Sequence, residues 1–149
     1  MNAPARLFPV EPVETDETGE TDTIGNDEFL LAVFGDDLDD LRPIVVSFTG
    51  DPSSVPRQTW SGYPWLGKTN GAAILSPDAN NYFSLAAFRP DEKGTYRRRK
   101  SQFHALYAVM LDDVGTKVDR DRLTLAPTWL LETSPGNFQA GYCLNEPLT

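Results

Sequence analysis

"ALYAVMLDDVGTKV", residues 105–118, decides how this chain reads. Its first seven residues are nearly all apolar, as in a central strand with both faces covered, and with Phe103 and His104 they place a strand at residues 103–111. Two adjacent carboxylates, Asp112 and Asp113, follow directly. Gly115 then allows a sharp turn. Acids at a strand end act either as a hydrogen-bonded turn or as ligands of a cation that neutralises phosphate oxygens. Successive strand side chains point to opposite faces, so only one of the two serves a given site unless the chain turns there.

Working outward, "PTWLLET" (residues 127–133) and "FQAGYCL" (138–144) flank the turn "SPGN" (134–137) and read as an antiparallel hairpin. "NNYFSLAAF" (80–88) and the β-branched run at 43–48 are further strands, with a turn at 91–94. "NDEFLLAVFG" reads as a short helix with Asn26 or Asp27 as its cap. Phe29, Leu30, Val33 and Phe34 form its apolar side, and Gly35 is its stop. The expected fold is α+β, with few helices and a mixed or mostly antiparallel sheet of five strands, covered by helices or a second layer. It occupies residues 26–149 as a single domain. Trp60, Tyr63 and Trp65, in a loop-rich stretch, are expected to cap the sheet, with stacking on a base as the alternative.

Charge is unevenly spread. The formal net charge is -9, yet residues 1–40 hold twelve of the 22 acids and a single base, Arg6. The rest of the chain is nearly balanced. Residues 1–25, rich in Pro, Glu, Thr and Asp and without periodicity, read as a disordered acidic leader. Six of the 13 bases fall in "RPDEKGTYRRRK", residues 89–100. Arg97, Arg98, Arg99 and Lys100 make a basic cluster compatible with a nucleic-acid partner, and equally with a solvated turn. The leader is either a solubilising arm or a weak mask over that cluster, screened by salt in both cases. The lone cysteine, Cys143, excludes an intrachain disulfide framework and fits a reducing, cytoplasmic setting. The first residues lack a signal-peptide pattern, and no apolar run is long enough for a membrane span.

Several chemistries find no support. There is no Cys/His cluster for zinc, no P-loop or dinucleotide-binding glycine pattern, and no nucleophile elbow. The acidic run at 36–40 lacks the alternation of a calcium loop and reads as a linker. His104, the only histidine, lies eight residues before Asp112, roughly 26 Å along an extended strand, so the two cannot share an ion.

Taken in order, the acid-ended strand and the later "SPGNFQ" hairpin resemble the primase–polymerase domains of the archaeo-eukaryotic type. The likeness is closest to the RepB-like primase branch of plasmid and phage replication proteins, and covers roughly residues 65–144. It implies metal-binding catalytic residues at Asp112 and Asp113, holding Mg²⁺ or Mn²⁺, and nucleotide contacts from Ser134, Gly136 and Gln139. It also implies DNA and nucleotide as partners, with a helicase downstream in the complete protein. Two features depart from the family pattern. Its aspartates are spaced Asp-x-Asp rather than adjacent, and its third motif, a further acid, does not follow the hairpin. The expectation is therefore the N-terminal part of a primase–polymerase-like replication protein, inactive as this chain alone. The alternative is a non-catalytic nucleic-acid-binding or protein-interaction module of a phage or plasmid.

Overall fold

The computed structural model describes residues 24–149. The expected leader lies outside the described residues except for Ile24 and Gly25. Eight elements follow in order: α1 (Asn26–Phe34), β1 (Arg42–Phe48), β2 (Tyr63–Pro64), α2 (Gly71–Ile74), β3 (Asn80–Phe88), β4 (Phe103–Val114), β5 (Trp129–Ser134) and β6 (Asn137–Leu148). The six strands form one sheet in the order β2-β1-β3-β4-β6-β5, and each neighbouring pair is antiparallel. The fold is α+β with a mostly antiparallel sheet. None of the described helices is long and apolar enough to cross a membrane.

Helix α1 packs on one face of the sheet through the four residues its spacing selects, Phe29, Leu30, Val33 and Phe34, all buried. Burying each such side chain contributes about 1.5–3 kcal/mol. The Phe29 ring sits edge-on to Phe83 of β3 (5.2 Å) and to Trp129 of β5 (5.5 Å), so one helical side chain bridges both halves of the sheet. Trp65 joins this core at 1% exposure. Gly141 lies under Trp129, where any Cβ would overlap the indole.

Five expectations are corrected. The helix cap is Gly25, whose amide donates to Glu28 Oε2 at 3.0 Å. Neither Asn26 nor Asp27 caps; Asp27 Oδ1 instead accepts the Trp65 indole N–H at 2.7 Å. The sheet has six strands, since the two-residue β2 pairs with β1. The acid-ended strand runs on through Val114, so both aspartates lie inside it. And although β4 is central, its two faces are not both covered: Val109 and Leu111 are 43% and 44% exposed on the face away from α1. That face is covered only by loops, around Ile44, Ala86 and Phe88 at one end and around Val114, Leu130 and Ala140 at the other. Of the three loop aromatics, Trp65 is buried and Trp60 half-buried as expected, while Tyr63 is 66% exposed and caps nothing.

Candidate functional site

The sheet is split. β3 and β4 pair only at Ala86↔Leu106, Ala87↔Ala105 and Phe88↔Phe103. Beyond that point, residues 80–85 pair with β1 alone, and β4 pairs with β6 alone. A cleft of about 690 Å³ opens between the halves. Its apolar floor comes from α1 (Phe29, Leu30), β3 (Phe83, Leu85), Met110 and Leu131. Its polar wall carries Asn80, Asn81, Asp112, Asp113, Glu132, Thr133, Asn137 and Gln139.

Both aspartates reach this cleft because β4 is bulged. The β4–β6 register passes from Leu111↔Ala140 to Val114↔Phe138, leaving Asp112 and Asp113 opposite the single residue Gln139. An extra residue in one strand re-aims the side chains around it. Asp113 absorbs the irregularity with φ of 58°, in the left-handed region that Asp tolerates better than most residues. The alternation that would separate two neighbouring carboxylates is thus broken at the place where they stand.

Two turns form the rim, and they are latched. After Val114 the chain reverses, and the amides of Thr116, Lys117 and Val118 all donate to the Asp113 carbonyl (3.3, 2.9 and 3.0 Å). Thr116 Oγ1 donates to Asn137 Oδ1 in the β5–β6 turn at 2.5 Å. Gly115, with φ of 91°, approaches that second turn so closely that a Cβ would lie 2.5 Å from the Gly136 carbonyl oxygen. Within the second turn, the Gly136 amide donates to Glu132 Oε1 at 2.9 Å.

The electrostatics centre on Asp113. Lys117 Nζ lies 2.6 Å from its Oδ2, and this hydrogen-bonded ammonium holds the Asp113 carboxyl below its ordinary 3.8. Reciprocally, bonding to Asp113 raises Lys117 above 10.5. Asp112 Oδ1 accepts the Asp113 amide at 2.9 Å, which leaves its other oxygen for a ligand. Asn81 Nδ2 donates to the carbonyls of Ser76 (2.7 Å) and Ala79 (3.3 Å), while its Oδ1 is buried in the cleft wall with no partner. An acceptor left in that state lacks the hydrogen bond that offsets its desolvation.

Of the residues expected from sequence, Asp112, Asp113 and Gln139 share one cleft. Ser134 and Gly136 sit in the latched turn at its rim and do not line it. Arg97, Arg98, Arg99 and Lys100 are exposed and precede β4, whose far end carries the aspartates. Nine residues of strand separate Phe103 from Asp112, roughly 30 Å, so the basic cluster does not meet phosphates held at the aspartates. Asn137, expected as a polar group at the rim of the hairpin turn, lines the cleft. Sequence reasoning passed over Asn80, Asn81, Glu132 and Lys117; Lys117 was signalled by its four-residue spacing from Asp113, whereas Asn80 and Asn81 carried no local signal.

Among the described residues no group of three or more His, Cys, Asp or Glu side chains is placed to hold a metal ion. Two carboxylates still fit one Mg²⁺ or Mn²⁺, which commonly binds one or two acids and completes its shell with water and substrate phosphate. The free Asp112 oxygen and the displaceable Asp113–Lys117 pair match that donor set. Compared with known proteins, the chain matches no family model, no curated protein and no solved structure.

Proposed function

We propose that this chain is a primase–polymerase-like domain of a plasmid or phage replication protein, whose cleft binds a nucleoside triphosphate together with one divalent cation. The observation that carries the reading is the bulge, which turns Asp112 and Asp113 into the same cleft as Gln139. It supplies by backbone geometry what the Asp-x-Asp spacing of the resembled family supplies by alternation.

In this reading Asp112 and Asp113 hold Mg²⁺ or Mn²⁺, which when bound would neutralise charge on the phosphates. The Gln139 amide approaches the nucleotide, with Asn137 and the Ser134–Gly136 turn beside it. The apolar floor under Phe29, Leu30 and Leu131 keeps water from the nucleotide's inner face and raises the worth of the polar contacts above it. The complete parent would then extend a strand on a DNA template. Primer synthesis by that parent is the test. Loss of synthesis in Asp112→Ala supports the reading, and equal synthesis by wild type and an Asp112→Ala/Asp113→Ala double variant defeats it.

A second reading, a non-catalytic nucleic-acid-binding or protein-interaction module, is favoured by the donor count: two carboxylates, one of them occupied by Lys117. It differs in expecting no cation-dependent nucleotide binding.

A further inference from the structure

We infer that the sheet face opposite α1 carries a track for single-stranded nucleic acid, made of the basic cluster and an aromatic trio. Three aromatic rings lie together on this face. Trp60 is 5.0 Å from both Phe48 and Tyr82, and Phe48 and Tyr82 stack at 5.4 Å with an interplanar angle of 20°. Val45 and Phe83 pack into the core under α1, so Phe48 and Tyr82, at odd spacing from them, belong to the other face. All three rings are half-buried, which fixes their planes while leaving surface for a base.

The basic cluster reaches this trio through one side chain. The Arg98 guanidinium donates to the Trp60 carbonyl, drawing the 97–100 run over the sheet despite its distance along the chain. Arg97, Arg99 and Lys100 stay exposed, and among the described residues none of them forms an ion pair. Tyr82 belongs both to the trio and to the cleft lining. Cations and stacking rings therefore lie side by side on this face, while the floor of the cleft is built by α1 and the α1-facing Phe83 and Leu85.

This succession matches a single strand. Phosphates engage the cations, and unstacked bases need ring faces, which every base satisfies. A duplex hides those faces, and the helical segment that carries Trp60, Thr59–Ser61, is a single short turn, too short to enter a groove. In the proposed function the strand would be the template. The track rests on its own residues, however, and is tested apart from the nucleotide site.

The test is fluorescence anisotropy with a labelled oligothymidylate of about 20 nucleotides, longer than the roughly 4–16 that a small binding fold covers. Binding of the full chain is measured against salt for wild type and for Arg97→Ala/Arg99→Ala/Lys100→Ala. These three side chains are exposed, so the variant should melt like wild type. Its log–log salt slope should fall by about two, since each phosphate contact on a single strand contributes roughly 0.7. Trp60→Leu should weaken binding about tenfold, and Trp60→Phe should restore most of it, because stacking needs only a ring. Manganese-dependent nucleotide binding at the cleft should be unchanged in the triple variant, which separates this inference from the nucleotide reading. An unchanged slope overturns the track. Equal losses on duplex and single strand, or identical affinity for Trp60→Leu and Trp60→Phe, overturn it as well.

Discussion

Asp113 and Lys117 face each other across a tight turn, joined by a 2.6 Å ion pair, although Asp113 holds a backbone φ that non-glycine residues seldom adopt. The pair is exposed, and pairs of that kind are screened by solvent and contribute little. It is therefore strong enough to orient the carboxylate and weak enough for a divalent cation to displace.

Removing the lysine should help a cation. Lys117→Ala takes away both the competitor for Asp113 and a neighbouring positive charge. Affinity for Mn²⁺ without nucleotide should rise about two- to fivefold, the scale of an exposed pair. Titration followed by manganese paramagnetic resonance measures it directly. A weaker or unaltered affinity would mean that Lys117 does not compete for the site.

The pair also has a pH signature. The Asp113 carboxyl is held below 3.8 by Lys117, so its stabilising contribution is present above 3.8 and lost as pH falls through the lowered value. Lys117 is raised above 10.5 by Asp113, so its contribution is complete below 10.5 and lost as pH rises through the raised value. The ion pair is thus complete at neutral pH. A carboxyl-carbon NMR titration should put the Asp113 midpoint below 3.8 and return it toward 3.8 in Lys117→Ala. A wild-type midpoint at or above 3.8 would contradict the pairing.

The bulge predicts an order among substitutions at Asp113. Glycine accepts the positive φ freely, so Asp113→Gly should leave unfolding stability nearly unchanged while removing a cleft carboxylate. Valine accepts it poorly, and Asp113→Val should cost about 1–3 kcal/mol. Urea unfolding of the two variants decides the matter. Equal stabilities would mean that residue 113 has no left-handed backbone in solution.

Periodicity made much of this fold readable. The apolar spacing of Phe29, Leu30, Val33 and Phe34 located α1, and β-branched or apolar runs bounded by turn residues located β1, β3 and the β5–β6 hairpin. The divergence of β3 from β4 left no such trace, because residues 80–85, which lack a β4 partner, are as strand-like as residues 86–88, which have one. The bulge was hidden for a related reason. Adjacent acids in a run with period two read as facing apart, and only the register against Gln139 reveals that they do not. Gly25 escaped notice as a cap since it offers no side chain, and the Arg98–Trp60 contact joins residues 38 apart.

The central claim is that Asp112, Asp113 and Gln139 form one nucleotide–cation site, and calorimetry of the full chain tests it most directly. Titrating a nonhydrolysable nucleoside triphosphate with and without Mn²⁺, into wild type and Asp112→Ala, separates the cation's contribution from the nucleotide's. The account predicts nucleotide binding that strengthens with Mn²⁺ in wild type and loses that dependence in Asp112→Ala. Binding that ignores Mn²⁺ in wild type, or keeps its full dependence without Asp112, would contradict it.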